Sequence, residues 1–226
     1  MSDTGGSKGG AGASVDLPTD IDLLDTAGET YRKDAVPYFE DADHAIRIFL
    51  VRRPSDNLAI FGFEGTHDRL GWLIDFVSLM LKDQQGLDHR TLGRVHAGFY
   101  AACLAAAPRI LLVAEKEPVA FAGHSLGAAM ALLLGGLLIN RGRPPMKIGA
   151  FAPPRVGGDQ FVKAVGKVPV SAYIYGNDLV PDVPFTILPA FPYEQVRLIQ
   201  VGQPRADRLS CHAIANYVAA VKEIAA

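Results

Sequence analysis

The chain has 226 residues, of which 49% are hydrophobic and 20% are charged, close to the usage of ordinary globular proteins. This composition excludes a wholly disordered or collagen-like chain, and the length is enough for one domain with a sizeable buried core. The 22 basic and 24 acidic residues leave a net charge of -2. The sequence therefore offers no broad nucleic-acid footprint and no basic stripe for an anionic membrane, and we expect no nucleic-acid partner.

The cysteine and histidine content argues against a disulfide framework and against a metal site. Cys103 and Cys211 are too few for a disulfide framework or for a four-ligand structural zinc site. We expect both to be small buried apolar residues, and a single disulfide between them stays open. Since no histidines and acids have the spacing of metal ligands, we expect no metal and no cofactor.

The N-terminus is predicted to be a flexible Gly- and Ser-rich tail over residues 1–18, followed by one domain over residues 19–226. Residues 1–14 lack an apolar h-region, so they do not form a secretory signal peptide. The localisation stays open: cytoplasmic as the chain stands, or secreted if a signal peptide has been removed. Phe121–Ile139 is long enough to span a membrane as a continuous helix, but the glycines near its start favour a turn, and no transmembrane segment is expected.

Short apolar runs and longer Ala- and Leu-rich segments define the predicted strands and helices. In the N-terminal half these are one or two short helices over 20–43, strands over 45–52 and 58–63, a helix over 68–82, a polar connection over 84–93 and a helix over 95–112. In the C-terminal half they are strands over 118–122, 146–151, 170–175 and 196–201, helices over 125–139, 159–165 and 211–224, and a Pro-rich loop over 181–193. The alternation predicts an α/β fold with a mostly parallel central sheet and helices on both faces.

The pentapeptide Gly123-His124-Ser125-Leu126-Gly127 lies between a predicted strand and a predicted helix. In the G-x-S-x-G elbow the serine occupies a sharp turn, and both glycines are needed because a Cβ there would clash. The turn lifts the serine to the carboxyl end of a strand, where open α/β sheets place their sites, and directs the Leu126 N–H towards a developing oxyanion. The pentapeptide alone is a weak signal, and a glycine-rich structural turn is the alternative.

A serine nucleophile needs a base, and the base needs an orienting carboxylate. In the chain order of serine, acid and histidine, the one histidine that follows Ser125 is His212. The candidate acids between them are Asp159, Asp178, Asp182, Glu194 and Asp207. Asp178 follows a predicted strand and a tight turn, and Asp182 lies on the same loop. The residues alone leave these two open.

Six short blocks follow one another along the chain in a specific order. They are Phe63-Glu64-Gly65-Thr66, Trp72-Leu73-Ile74-Asp75, Val95-His96-Ala97-Gly98-Phe99, Gly123-His124-Ser125-Leu126-Gly127-Ala128, Pro154-Arg155-Val156-Gly157 and Asn177-Asp178-Leu179-Val180-Pro181. Together they resemble the class 3 lipase family, the fungal-lipase-like α/β-hydrolases, from about Phe61 to the C-terminus. The chain departs from the family pattern at Glu64, where an arginine is usual, and at Ala128, which replaces the second elbow glycine.

The resemblance implies the α/β-hydrolase fold, with Ser125 as nucleophile, Asp178 as orienting acid and His212 as general base. It also implies an oxyanion hole made by the backbone N–H groups of Thr66 and Leu126. The expected function is a serine carboxylic-ester hydrolase, a lipase that acts on acylglycerols through an acyl-enzyme. A phospholipase A1 or a short-chain esterase is the alternative within the enzyme class, and a non-catalytic hydrolase-fold binding module is the alternative outside it.

A lipid or other ester is the expected partner, with transient contact at a lipid–water interface. The helix predicted over 68–82 corresponds to the lid region of the family, and the apolar loop near 183–192 is a candidate for the opposite wall of an acyl pocket. The predicted pocket or lid residues are Trp72, Leu73, Phe76, Phe185, Ile187 and Leu188. Ordinary core packing is the alternative for both segments. His96 and His124 are expected to be structural hydrogen-bonding residues.

Overall fold

The computed structural model describes residues 15–42, 46–65, 87–183 and 193–226. The strands are β1 (Phe39–Asp41), β2 (Ile46–Arg52), β3 (Ala59–Phe63), β4 (Leu87–His89), β5 (Gly93–Val95), β6 (Val119–His124), β7 (Ile148–Phe151), β8 (Val170–Tyr175) and β9 (Leu198–Val201). Seven of them form one sheet in the order β1-β2-β3-β6-β7-β8-β9, and β4 and β5 form a separate hairpin. Pairing is antiparallel from β1 to β3 and parallel from β3 to β9.

Helices cover both faces of this sheet. They are α1 (Asp20–Glu29), α2 (Ala97–Ala114), α3 (Leu126–Asn140), α4 (Asp159–Val165), α5 (Arg208–Cys211) and α6 (Ile214–Ala225). The side chains of α2, α3 and α4 share one hydrophobic cluster with one face of the strands, and those of α1 and α6 share a second cluster with the other face. The predicted α/β class, with a mostly parallel sheet between two helical layers, is confirmed.

Every residue of the central strands β3, β6 and β7 is buried, and all but His124 are apolar, because both faces of these strands are covered. Phe61 and Phe121 point towards α2 and α3, whereas Ile60 and Ala120 point towards α1 and α6. The ring of Phe121 meets the rings of Phe61 and Phe63 edge-on, with centroids 6.0 and 5.5 Å apart. This aromatic row ties β3 to β6, the two strands that lead into the functional region.

The apolar stretch Phe121–Ile139 is divided between strand β6 and the 15-residue helix α3. Among the described residues, one helix is long and apolar enough to cross a membrane by length and composition alone: α2, with a mean hydropathy of 1.7 over 18 residues. A single helix of this kind is weak support for a membrane span, because the core helix of a globular domain passes the same test. Cys103 and Ile110 of α2 are fully buried in the core.

Several predicted boundaries are wrong. The region predicted as short helices over 20–43 also contains β1, and the connection predicted over 84–93 contains β4 and part of β5. These short strands carry little apolar pattern of their own and exist because they pair with β2 and with each other. Val95 belongs to β5 and not to the following helix, which begins after His96. The helix predicted over 68–82 lies outside the described residues.

The two cysteines are buried free thiols, so the disulfide that the sequence left open is not formed. Cys103 packs in the core beside Met130, with 3.7 Å between the two sulfur atoms. Cys211 ends α5, and its Sγ lies 3.2 Å from Oδ1 of Asn177. Burial raises the pKa of the Cys103 thiol, which keeps it protonated.

Phe121→Ala is expected to lower the free energy of unfolding by about 3–5 kcal/mol, because it leaves a cavity between Phe61 and Phe63 at the centre of the sheet. Leu112→Ala is the control, since Leu112 is 56% exposed on α2 and its truncation is expected to change stability by at most about 0.5 kcal/mol. Urea unfolding followed by circular dichroism measures both. Equal unfolding midpoints for the two variants would contradict the prediction.

Candidate active site

Ser125 occupies the turn between β6 and α3. Its backbone has φ 60° and ψ -124°, in a region that residues other than glycine rarely adopt. The Ser125 N–H donates to the carbonyl oxygen of Phe151 at the end of β7, at 2.8 Å, and the Ser125 carbonyl accepts from Ala128 at 3.0 Å. The chain therefore makes here the sharp strand-to-helix turn that the motif predicts.

The two elbow glycines allow the backbone segments to touch. A Cβ on Gly123 would lie 2.2 Å from the carbonyl oxygen of Gly127, and a Cβ on Gly127 would lie 2.0 Å from that of Phe63. Both distances are far below van der Waals contact with rigid backbone, so any other residue would push the elbow open. The close approach at Gly127 also brings the first turn of α3 against the end of β3.

Ser125 is only 2% exposed, and within the described part of the chain its Oγ makes no hydrogen bond. Leu126 is the first residue of α3, so its N–H is one of the first-turn amides that have no acceptor within the helix. Negative charge is favoured there by the helix dipole. Thr66, the other predicted oxyanion donor, lies outside the described residues. The same holds for the predicted pocket or lid residues Trp72, Leu73, Phe76, Phe185, Ile187 and Leu188.

Asp178 and His212 form a buried hydrogen-bonded pair, with 2.8 Å between Oδ2 and Nδ1. Asp178 is completely buried and the His212 side chain is 13% exposed. The carboxylate also accepts the Tyr217 hydroxyl on Oδ2 at 2.6 Å and the Val180 N–H on Oδ1 at 3.0 Å. Burial raises the pKa of Asp178, but the hydrogen bonds from His212 and Tyr217 outweigh it, so the pKa lies below its ordinary value. The carboxylate is therefore ionised and aligns the imidazole.

The rival acid, Asp182, is turned away from this pair. It ends a single 3₁₀ turn, Val180–Asp182, and its side chain is 43% exposed. Its carboxylate forms an ion pair with Arg208. Of the two acids that the residues alone left open, Asp178 is the one that the fold brings to His212.

His124 is buried beside His212, with 4.7 Å between the ring centroids. Its Nδ1 lies 2.8 Å from the Tyr31 hydroxyl, and its Nε2 lies 2.9 Å from the carbonyl oxygen of His212. Burial and, less strongly, the electrostatic effect of the neighbouring His212 lower the pKa of His124 to about 3, so this imidazole is neutral. These hydrogen bonds agree with the structural role expected for His124. The same holds for His96, whose Nδ1 accepts the Phe99 N–H and caps α2.

Sequence reasoning missed the two tyrosines that contact this site. Tyr31 follows α1, about a hundred residues before the histidine it bonds, and no local pattern marks it. Tyr217 lies on α6, five residues after His212, which precedes that helix, so no helical spacing marks it either. Burial and the Asp178 charge raise the pKa of Tyr217, so its hydroxyl stays protonated and donates.

Glu64, which departs from the family pattern, is paired. Its carboxylate lies 2.8 Å from Nη1 of Arg47 on β2, and its side chain is only 7% exposed. The Glu64 N–H also donates to the Arg47 carbonyl oxygen at 3.0 Å. The negative charge at the end of β3 therefore pairs with a cation on the neighbouring strand, which also lies 3.6 Å from Glu40.

A cavity of about 360 Å³, lined by residues 114–119 and 142–144, lies at the start of β6 and not at its end, where Ser125 is. It is separate from this site. No group of three His, Cys, Asp or Glu side chains within the described ranges has an arrangement that could hold a metal ion.

Comparison with known proteins identifies relatives of this arrangement. The sequence model of the family Lipase (class 3) matches residues 60–188, more than half of the chain, and this range contains the elbow and Asp178. The toxin TseL of Vibrio cholerae is 30% identical over 121 residues, which are 50% of this chain and 18% of that protein. Triacylglycerol lipase OBL1 of Arabidopsis thaliana is 32% identical over 114 residues, which are 46% of this chain and 22% of that protein. The chain thus spans about a fifth of the length of these two relatives.

The fold is shared with a solved fungal lipase. The crystal structure of the lipase from Rhizopus microsporus var. chinensis superimposes with a TM-score of 0.66 at 20% identity, covering 93% of this chain and 96% of that one. At this identity the likeness is one of fold, and it confirms the predicted α/β-hydrolase fold. The family match over more than half of the chain, on that shared fold, shows that this protein belongs to the class 3 lipase family.

Proposed function

We propose that this protein is a serine carboxylic-ester hydrolase that acts as a lipase on acylglycerols. The observation that carries the proposal is the buried Asp178–His212 pair, 2.8 Å apart, in a family fold that presents Ser125 at the elbow. A triacylglycerol lipase among the relatives supports acylglycerols as the substrate class. The ionised carboxylate beside an imidazole is the arrangement that a hydroxyl nucleophile requires.

In the proposed reaction, Ser125 Oγ attacks the ester carbonyl while His212 Nε2 takes the hydroxyl proton. The negative charge that develops on the carbonyl oxygen is stabilised by the Leu126 N–H, with Thr66 as the predicted second donor. Collapse of the tetrahedral intermediate breaks the ester bond, and the leaving alcohol receives its proton from His212. Water, activated by the same imidazole, then hydrolyses the acyl-enzyme.

The surroundings of Asp178 support its role in both steps. Its three hydrogen bonds keep the carboxylate ionised and hold it against Nδ1, so the His212 proton stays on Nδ1 and Nε2 keeps the lone pair that the proposed reaction uses. The same charge stabilises the imidazolium that forms in the transition state. Among the described residues Ser125 Oγ has no hydrogen-bond partner, which is compatible with this role, since catalytic hydrogen bonds are often long in free enzymes and tighten on substrate binding.

Three further features belong to the proposal. Residues 19–226 form a single domain, an arrangement supported by two hydrophobic clusters on the two faces of one sheet. The acyl pocket and lid formed by residues 68–82 and 183–192 stay a prediction, and so does contact with a lipid–water interface. Acyl-chain preference separates a lipase from a short-chain esterase, and hydrolysis of a phospholipid distinguishes a phospholipase A1.

Ser125→Ala is expected to lower hydrolysis of p-nitrophenyl esters by at least about 10⁴-fold without loss of fold, because it removes the nucleophile. The series from acetate to palmitate is measured for the wild type and the variant. Ser55→Ala is the matched control, since Ser55 is exposed in the β2–β3 turn at the far end of the sheet, and its activity should equal that of the wild type. Full activity in Ser125→Ala would disprove the serine mechanism.

Labelling by a fluorophosphonate probe separates the enzyme from the non-catalytic binding module. The wild type and Ser55→Ala should each take up one probe on Ser125, located by mass spectrometry of the peptides, because only an activated serine reacts. Ser125→Ala should take up none. A wild type that neither reacts with the probe nor cleaves any ester of the series would favour the binding module.

Asp178→Asn is expected to lower kcat by about 10⁴-fold with little change in KM, because an amide favours the wrong tautomer of His212 while it leaves the packing in place. Asp182→Asn, on the same loop but paired with Arg208, should stay within about threefold of the wild type. Steady-state kinetics on the best ester of the series compares the two. A larger loss in Asp182→Asn than in Asp178→Asn would contradict the assignment of Asp178 as the orienting acid.

A further inference from the structure

We infer that Tyr31 is a positioning residue, which holds the catalytic base His212 in place through the side chain of His124. This role rests on the function proposed above. It adds to the reaction machinery a residue from the segment after α1, outside the residues matched by the family model.

The directions of the hydrogen bonds follow from the groups that take part. The His212 carbonyl oxygen can only accept, so the proton of His124 must lie on Nε2, 2.9 Å away. Because His124 is neutral, its Nδ1 then carries a lone pair. The Tyr31 hydroxyl, 2.8 Å from this atom, must therefore donate to it. The tautomer of His124 is fixed from both ends.

The hydrogen-bond chain also reaches the end of the β3 strand. The backbone of Gly65 makes a hydrogen bond to the Tyr31 oxygen, and a Cβ on Gly65 would lie 2.2 Å from that oxygen and 2.7 Å from the His124 carbonyl oxygen. Gly65 is thus packed directly on the hydroxyl. Donors and acceptors run in one direction, from the Gly65 N–H through Tyr31 and His124 to His212, and bonds aligned in this way strengthen one another.

The position of His212 makes it sensitive to this chain. It lies between α5 and α6, with its N–H bonded to the Leu209 carbonyl oxygen at 3.1 Å. Asp178 holds the imidazole through Nδ1, and His124 holds the backbone through the carbonyl and packs against the ring. Two contacts on different atoms define the orientation of the base, and Tyr31 supports the second one by holding the ring of His124 from its other nitrogen.

Removing the Tyr31 hydroxyl leaves the His124 imidazole held by one of these two hydrogen bonds. In Tyr31→Phe the His212 carbonyl still accepts from Nε2–H, so the tautomer is kept, but Nδ1 loses the donor that holds the other side of the ring. The ring is then free to tilt about the remaining bond to the His212 carbonyl. The hydrogen bond from His124 to the backbone of His212 then shifts, and it moves the base with it. A small misplacement of a catalytic group has a large effect on rate.

Steady-state kinetics of Tyr31→Phe tests this role. We expect kcat to fall about tenfold with KM within about twofold of the wild type, because the base moves while substrate contacts stay. Tyr173→Phe is the matched control: its hydroxyl also bonds a residue of the α1 region, Asp20 at 2.7 Å, but has no link to His124. It should lose a similar amount of thermal stability and keep the wild-type kcat. Equal kcat values in the two variants would overturn the inference.

The tautomer of His124 provides a test that needs no activity. In ¹⁵N-labelled wild-type protein, the imidazole nitrogen shifts should show Nε2 protonated and Nδ1 unprotonated down to the lowest pH at which the fold is stable, and in Tyr31→Phe the Nδ1 shift should change because its lone pair loses the hydroxyl donor. A wild-type His124 protonated on Nδ1 would overturn the inference even if the enzyme is active. An inactive wild type with the expected tautomer would instead refute the proposed function.

Discussion

The close contact between the elbow and the end of β3 is the constraint on which the rest of the site depends. Gly127 has no Cβ, and one would lie 2.0 Å from the Phe63 carbonyl oxygen. Gly123 is restricted in the same way by Gly127 itself. The strained backbone of Ser125, at φ 60°, is tolerated because β7 and the first turn of α3 hold it from both sides. One backbone contact therefore places the nucleophile, a helix N-terminus and the strand that leads to Thr66 at one point.

The parts of the structure that sequence could predict are those whose cause is local. The elbow and its two flanking elements follow from five consecutive residues, and the central strands follow from apolar runs that are buried on both faces. His212 follows from chain order, whereas Asp178 was separated from Asp182 by family resemblance alone. The structure supplies the physical difference between these acids, since one is enclosed by three donors and the other lies at the surface paired with Arg208.

The features that escaped prediction depend on contacts between distant parts of the chain. Strand β1 has three residues and forms because β2 offers an edge to pair with, which nothing in its own sequence indicates. In the sequence, nothing distinguishes Tyr31 and Tyr217 from ordinary half-buried or core aromatic residues. The fold brings their hydroxyls to His124 and Asp178. The role of a tyrosine hydroxyl follows from its hydrogen-bond partner. When that partner is far away in the sequence, only the three-dimensional structure identifies it.

Glu64 shows how a departure from a family motif is to be interpreted. An unpaired carboxylate with a side chain 7% exposed would be costly, and beside a site that stabilises an oxyanion it would oppose the charge that develops there. Arg47, on the adjacent strand, offsets this cost by pairing with it at 2.8 Å, and the same guanidinium lies 3.6 Å from Glu40. Because Glu64 is 7% exposed whereas Arg47 is 32% exposed, loss of Arg47 would leave a largely buried carboxylate without this cation, and the cost falls on Glu64. The identity of residue 64 alone is therefore a poor guide to function, because the electrostatic effect on the site depends on the net charge of Glu64 and the charged side chains around it.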